Sequence, residues 1–253
     1  MRIENSFIPV DGVGERTERT LWESGVTRWD AFDESVVGER RGERIREFID
    51  TATDRLDDGD AAFFRRAFPD GAHWRCYENF REETCFLDIE TTGLDQHRDD
   101  VTVVGLHSPG ETETLVAGRD LTADHLQRRL DDAKLLVTFN GKRFDVPFLE
   151  HHFDVDLDRP HLDCMYTCNR LGLSGGLSAV ESALGVEREH PDVGGREAVR
   201  LWHAHEAGED GALERLIDYN QEDAANLVTV LDRAVERLTP DPLQDAGPVG
   251  ADD

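Results

Sequence analysis

The sequence contains almost no lysine, few cysteines and no long apolar segment. Lysine occurs only at Lys134 and Lys142 among 253 residues, which carry 55 acidic and 28 basic side chains and a net charge of −27. No stretch reaches the roughly 18 apolar residues of a membrane-spanning helix, and the first residues lack the charged-then-apolar order of a signal peptide. We therefore predict a cytoplasmic protein with no membrane partner.

The cysteines do not form a recognisable ligand or disulfide pattern. They show neither a C-x-x-C pair nor zinc-finger spacing, which predicts reduced packing residues. The four are Cys76, Cys85, Cys164 and Cys168.

The excess of acidic residues is typical either of a disordered chain or of a folded protein adapted to concentrated salt. Periodic apolar segments favour the folded, halophilic alternative. Because the Debye length in molar salt is only about 3 Å, surface repulsion is screened there. The net charge therefore does not exclude a nucleic-acid substrate.

The apolar pattern changes near residue 75. Residues 1–75 show helical periodicity, and from residue 80 strands alternate with helices. We predict an α/β fold, a mixed sheet flanked by helices over residues 80–238, with a small N-terminal helical subdomain over 1–75 and a disordered acidic tail over 239–253. The predicted strands are 84–90, 101–108, 113–118 and 134–139, and the predicted helices after residue 80 are 122–132, 145–153, 177–184, 196–207 and 212–238.

Two acids interrupt the most strand-like segment, "TCFLDIE". Side chains two positions apart in a strand share a face about 6.6 Å apart, so Asp88 and Glu90 project together, opposite Leu87 and Ile89. Such a carboxylate pair suits a hard divalent cation. Taken alone, it suits the solvated face of an edge strand equally well.

A second motif, "TFNGKRFDVPFL", joins a strand to a helix. Asn140 and Asp145 follow the strand's carboxyl end, where sites of open α/β sheets collect. Taken singly, they are also typical of a turn residue and a helix N-cap.

A third motif, "DYNQEDAANL", lies on the last long helix. Tyr219 and Asp223 are four residues apart and therefore share a face at the margin of the apolar stripe. A solvated flank of an amphipathic helix is the alternative.

In this order the three motifs resemble the DEDD superfamily of 3′→5′ exonucleases, in the tyrosine-bearing (DEDDy) branch shared with proofreading domains of family B DNA polymerases. The closest resemblance is to the YprB-like group of ribonuclease H-like exonucleases, which share the segment "HLDCMYTCNRLGLSGGLSAVESALG". The resemblance covers residues 84–237.

The resemblance implies a site for two Mg²⁺ or Mn²⁺ ions. In it, Asp88 bridges the ions, Glu90 and Asp223 complete the shell of one, and Asp145 holds the other. Tyr219 orients the attacking water.

The resemblance also implies substrate contacts from Thr91, Leu94, Asn140 and Phe144, with Leu94 as an apolar wedge against the terminal base. The implied partner is single-stranded or frayed nucleic acid, DNA or RNA. Repair or replication proteins are further candidate partners, which would deliver the chain to its substrate. The alternatives are a catalytically inactive nucleic-acid-binding module and a subunit of a repair complex.

The N-terminal segment around Gly12-Val13-Gly14 and Gly25-Val26 resembles a helix-hairpin-helix element, which implies backbone amides directed at a phosphate. A small helical packing subdomain is the alternative. The arginines that follow suit phosphate contacts or a solvated helix face equally well. They are Arg40, Arg41, Arg44 and Arg46.

Overall fold

The computed structural model describes residues 1–244, which divide into two compact units. Within the described residues, the N-terminal unit comprises 1–81 and 235–244, and the sheet unit comprises Glu82–Ala234. Of the predicted disordered tail, Asp241–Gln244 are helical and Leu243 is buried. Residues 245–253 lie outside the described residues.

The described residues form eleven α-helices, five short 3-10 helices and a single sheet. The helices are α1 (Glu15–Glu23), α2 (Glu39–Asp57), α3 (Ala61–Ala67), α4 (Tyr77–Phe80), α5 (Ala123–Asp131), α6 (Asp145–His152), α7 (Cys164–Asn169), α8 (Leu177–Leu184), α9 (Gly195–Glu206), α10 (Ala212–Leu238) and α11 (Asp241–Gln244). Short 3-10 helices cover Ile3–Asn5, Trp29–Ala31, Glu34–Val36, Asp70–Cys76 and Arg81–Glu83. The strands are β1 (Thr84–Thr91), β2 (Val101–Ser108), β3 (Glu111–Val116), β4 (Leu135–Thr138) and β5 (His161–Asp163).

The sheet is mixed, in the order β3-β2-β1-β4-β5. β1 pairs antiparallel with β2 and parallel with β4, while β2–β3 is antiparallel and β4–β5 is parallel. This confirms the predicted α/β architecture, with β1 in the centre. β5 and α7 were not predicted, because three and six residues are too short to show a periodic pattern.

The two faces of β1 pack against different parts of the sheet unit. Leu87 and Ile89 belong to an apolar cluster that also includes Leu126 of α5 and Phe148 of α6. On the β2 strand, Val103 belongs to a second cluster, formed with residues of α9 and α10. Glu90 pairs with Val103, so the acids of β1 lie on the face that α10 covers.

A buried ion pair organises the N-terminal unit. The Glu18 carboxylate lies 2.7 Å from Arg75 Nη1 and also accepts hydrogen bonds from the Ser6 hydroxyl and the Phe7 N–H. The Arg75 guanidinium faces Trp74, 5.3 Å from the ring centroid. Buried charges persist only when paired and hydrogen-bonded in this way.

The predicted helix-hairpin-helix element has only part of its helical frame. Gly12 takes φ +80°, and Gly14 precedes the first residue of α1. Before Gly12, however, the chain forms only the 3-10 turn Ile3–Asn5 and irregular turns. The element therefore stays a prediction. Of the arginines that follow, Arg44 pairs with Asp11 at 3.3 Å on the surface.

The four cysteines are buried and unpaired, as predicted. Burial raises the pKa of Cys85 and of Cys168 to about 11, which keeps both thiols protonated near neutral pH. Among residues 1–244, none of the helices combines the length and the apolar composition that crossing a bilayer requires.

We predict that Glu18→Gln lowers the free energy of unfolding by about 3–5 kcal/mol, because it leaves the Arg75 charge buried without a counter-ion. Urea titration followed by tryptophan fluorescence measures this, since three of the four tryptophans lie in the N-terminal unit. Glu23→Gln removes an exposed carboxylate from the same helix and is the matched control. Equal losses in the two variants would contradict the prediction.

Candidate active site

The end of β1 directs two carboxylates to one face of the sheet. Asp88 is half-buried and Glu90 is 8% exposed. The β1–β2 register shifts between Glu90 and Thr91, a bulge that ends regular pairing immediately after the second acid. The chain then turns through Gly93, and the Thr91 hydroxyl donates to the Gly93 carbonyl at 2.5 Å.

Helix α10 supplies the third carboxylate. One ligand atom each from Asp88, Glu90 and Asp223 can be chosen so that all three lie within 4.8 Å of one another. Tyr219, one turn earlier on α10, and Asp223 are both buried, and the neighbouring Tyr219 phenol lowers the pKa of Asp223 against the larger effect of burial. The alternative of a solvated helix flank for Tyr219 and Asp223 is therefore wrong.

Asparagine 220 fixes α10 against β1. Asn220 is fully buried and donates through Nδ2 to the Asp88 backbone carbonyl at 3.2 Å and to Asp88 Oδ2 at 3.0 Å. Gly105, which pairs with Asp88 in the sheet, makes the approach possible, because a Cβ there would lie 2.4 Å from Asn220 Oδ1. Asn220 was not among the predicted site residues.

Asp145 is the first residue of α6, and Phe144 occupies the cap position. The N-cap alternative for Asp145 is therefore wrong. Its side chain is 4% exposed, and backbone groups of Asp145 itself and of Ile89 lower its pKa against the larger effect of burial. It is not part of the group of three carboxylates, but its charge raises the pKa of Asp88 and of Glu90.

Burial raises the pKa values of all four acids, and nearby negative charges add to this effect. Desolvation dominates for Asp88 and Glu90, and the nearby Asp223 charge adds to it; both pKa values lie well above the usual range. Burial raises the pKa of Asp145 to about 7 and that of Asp223 to about 6, the latter in spite of a neighbouring arginine. Carboxylates crowded in this way favour a cation among them.

Burial also raises the pKa of Tyr219 above its ordinary value, and the charges of Asp223 and Glu90 add to that effect. The phenol is therefore protonated at neutral pH and retains its hydrogen-bond donor.

Two groups near the site were not predicted. Arg188, between α8 and α9, forms an ion pair with Asp223 and another with Glu181. Asp163, at the end of β5, accepts hydrogen bonds from the backbone N–H groups of Asn140 at 2.8 Å and Lys142 at 3.2 Å. No local pattern marks Arg188, whereas Asp163 follows an apolar residue and precedes a helix, a pattern typical of an N-cap.

A cavity of about 530 Å³ adjoins the carboxylates and brings three of the four predicted substrate residues together. Thr91, Leu94 and Phe144 line it with Glu90, and α9 contributes Val199. Leu94 is 87% exposed. The fourth residue, Asn140, takes φ +63° in the turn after β4 and lies outside the cavity lining.

The donor set fits a hard divalent cation. Carboxylate oxygens are the ligands that Mg²⁺ and Mn²⁺ prefer, and Asp88, Glu90 and Asp223 provide three within a compact space. Asp145 adds a fourth acid nearby.

A family model of the RNase H superfamily matches residues 85–235. The chain belongs to the RNase H superfamily. The comparison with curated protein sequences finds no match.

Several solved structures resemble this RNase H superfamily chain at low identity. The apo form of a nuclease is 20% identical with a TM-score of 0.47, covering 71% of this chain and 80% of its own. A family B DNA polymerase from Pyrobaculum calidifontis is 18% identical with a TM-score of 0.47, covering 60% of this chain and 26% of its own. Brucella melitensis NrnC is 22% identical with a TM-score of 0.43, covering 67% and 82%. The family model alone carries the assignment.

We predict that, in EDTA, the stability advantage of Asp145→Asn over the wild type grows as pH rises from about 4 to about 7. The folded-state pKa of Asp145 is raised from 3.8 to about 7, so the folded chain binds more protons than the unfolded chain in this window. The free energy of unfolding of the wild type therefore falls as pH rises, and Asp145 contributes on the order of 2–4 kcal/mol to that fall.

Urea titrations of both proteins at pH 4.5 and 7.5 measure the difference in their free energies of unfolding. Repulsion among the other acids is present in both proteins and cancels in this difference. Glu150→Gln, an exposed acid on the same helix, is the control. A difference between wild type and Asp145→Asn that does not change with pH would contradict the assignment of a raised pKa.

Proposed function

We propose that the chain is a metal-dependent 3′→5′ exonuclease that hydrolyses phosphodiester bonds at DNA or RNA ends with two Mg²⁺ or Mn²⁺ ions. The observation that carries the proposal is the convergence of Asp88, Glu90 and Asp223 within 4.8 Å, from a strand and a helix far apart in sequence. Membership of the RNase H superfamily and the sequence resemblance to DEDDy exonucleases support it.

The four acids would hold the ions. As the resemblance implies, Asp88 would contact both, with Glu90 and Asp223 on one ion and Asp145 on the other. Bound divalent ions would neutralise the attacking and leaving oxygens of the phosphodiester and make hydroxide accessible near neutral pH. The chain's contribution is to fix these oxygen donors on β1, α6 and α10, which are rigid elements.

Tyr219 would position the attacking water. Its phenol stays protonated at neutral pH and lies close enough to Asp223 to lower the pKa of that acid, so the tyrosine oxygen lies near a proposed metal ligand. It can accept a hydrogen bond from a water while donating its own to the carboxylate.

The cavity beside Glu90 would receive the terminal nucleotide. Its volume of about 530 Å³ and its apolar walls suit a base, and Leu94 and Phe144 supply two of those walls. Contacts of this type do not read base edges, which favours a sequence-independent enzyme. The remaining backbone N–H groups of the turn after Thr91 would be available to a 3′-hydroxyl or phosphate at the same edge.

Other parts of the proposal rest on the sequence alone. They are the YprB-like subgroup, adaptation to concentrated salt, a cytoplasmic location, a phosphate-binding role for the segment around Gly12 and Gly14, a substrate contact from Asn140, and delivery by repair or replication proteins.

We predict that Asp88→Asn lowers kcat/KM for Mn²⁺-dependent degradation by more than about 100-fold, beyond the 10–100-fold typical of residues that only support a ligand. DNA and RNA strands labelled at the 3′ or 5′ end, assayed at low and high salt, report rate, direction and substrate together. Release of labelled mononucleotide from the 3′ end first is the expected order.

Glu150→Gln, which removes an exposed carboxylate from the same unit, should keep full activity. If Asp88→Asn degraded the strands as fast as the wild type, the exonuclease assignment would be wrong. Binding of the labelled strands without degradation, in the wild type and across metals and salt, would favour the inactive binding module instead.

We predict that Leu94→Ala raises KM about tenfold with little change in stability. The side chain is 87% exposed, so its removal leaves no cavity in the core, but it takes away a wall of the proposed base site. Steady-state kinetics and thermal unfolding measure the two effects. Tyr166→Ala, an exposed aromatic outside the cavity lining, is the control, and an equal change in KM there would contradict the role of Leu94.

A further inference from the structure

A buried arginine contacts the α10 carboxylate of the site. Arg188 lies in the segment between α8 and α9, and its side chain is 8% exposed. One guanidinium nitrogen, Nη2, donates to Asp223 Oδ1, and the other, Nη1, donates to Glu181 Oε2. Arg188 therefore links an acid of the proposed metal site to a second acid outside it.

The second acid is itself fixed in place. Glu181 of α8 is fully buried, and its other oxygen, Oε1, accepts a hydrogen bond from Asn226 Nδ2 at 2.9 Å. Asn226 lies three residues after Asp223 on α10. The network thus begins and ends on the same helix, with Glu181 and Arg188 held between.

The guanidinium also contacts the tyrosine of the site. Arg188 Cζ lies 5.5 Å from the centroid of the Tyr219 ring. A single side chain therefore contacts both α10 residues, Tyr219 and Asp223, that the proposed reaction uses.

The network provides orientation in addition to charge. Glu181 offsets part of the Arg188 charge, and the planar guanidinium fork constrains the direction of each carboxylate that it binds. Arg188 Nε is buried without a hydrogen-bond partner among the described residues. An unpaired buried donor costs stability. The guanidinium is therefore placed so that Nη1 and Nη2 bind the two carboxylates, although this leaves Nε without a partner among the described residues.

We propose that Arg188, anchored by Glu181, is a positioning residue that fixes the Asp223 carboxylate for metal binding. The inference rests on the proposed function, since it concerns the same metal site. Hydrogen-bonding partners of ligating carboxylates typically account for 10–100-fold in metal affinity or activity.

The test is the affinity for Mn²⁺, measured by calorimetry on the full chain with no substrate present. Arg188→Lys keeps the charge but supplies a point donor that does not hold Asp223 and Glu181 together. We expect Mn²⁺ to bind at least tenfold more weakly to Arg188→Lys, and three- to tenfold more weakly to Glu181→Gln, which weakens the anchor and leaves every proposed ligand in place. Raising the Mn²⁺ concentration should restore the degradation rate of Arg188→Lys, which would not follow from a purely structural defect.

Arg200→Lys is the matched control, because Arg200 forms an exposed ion pair with Glu197 on α9. Loss of Mn²⁺ binding in Asp88→Asn would show that the ion measured is the one bound at this site. Affinity within twofold of the wild type, or tighter, in Arg188→Lys would overturn the inference and leave the proposed function standing. If Arg188→Lys does not fold, the Mn²⁺ affinity of Glu181→Gln is the test, and a value within twofold of the wild type would overturn the inference. A wild-type chain that binds no Mn²⁺ would overturn both.

Discussion

The close approach of α10 to the centre of the sheet is the constraint on which the site depends. Gly105 has no side chain where Asn220 lies against the sheet, and Asn220 in turn holds both the backbone and the carboxylate of Asp88. With α10 held at this distance, Asp223 lies one turn further along the helix, close enough to join the β1 acids. A methyl group at position 105 would separate the two elements that supply three of the four carboxylates.

The sheet unit combines apolar packing on one side of β1 with concentrated negative charge on the other. Leu87 and Ile89 secure the strand within an apolar cluster, so the strand does not rely on its acidic face for stability. The acidic face is unfavourable by itself, as the raised pKa values of Asp88 and Glu90 indicate. Arg188 lowers the pKa of Asp223, but not by enough to offset the effect of burial. The proposed ions would complete the compensation.

The sequence predicted those parts of the site that depend on local pattern. The strand with Asp88 and Glu90, the turn before Asp145 and the helix with Tyr219 are each visible within ten residues or so, and the mixed sheet followed from their alternation. Arg188 could not be recognised in this way, because its partner Asp223 lies 35 residues away and no local periodicity connects them. The local pattern around Asp163 is that of a helix N-cap and does not indicate its bonds to the turn 21 to 23 residues earlier. β5 was missed because three residues do not show an alternation. The helix-hairpin-helix element stays a prediction.

The alternation along β1 has a consequence for how the gene can vary. Adding or removing one residue between Cys85 and Glu90 would reverse the face of every side chain beyond that point, exchanging Ile89 with its acidic neighbours. Such a change would damage the apolar core and the carboxylate group together, so this strand admits substitutions far more readily than changes of length. The exposed turn at Pro109 and Gly110 lies between β2 and β3, so an insertion there does not change which face a strand residue occupies. It is one place where added residues would be accommodated.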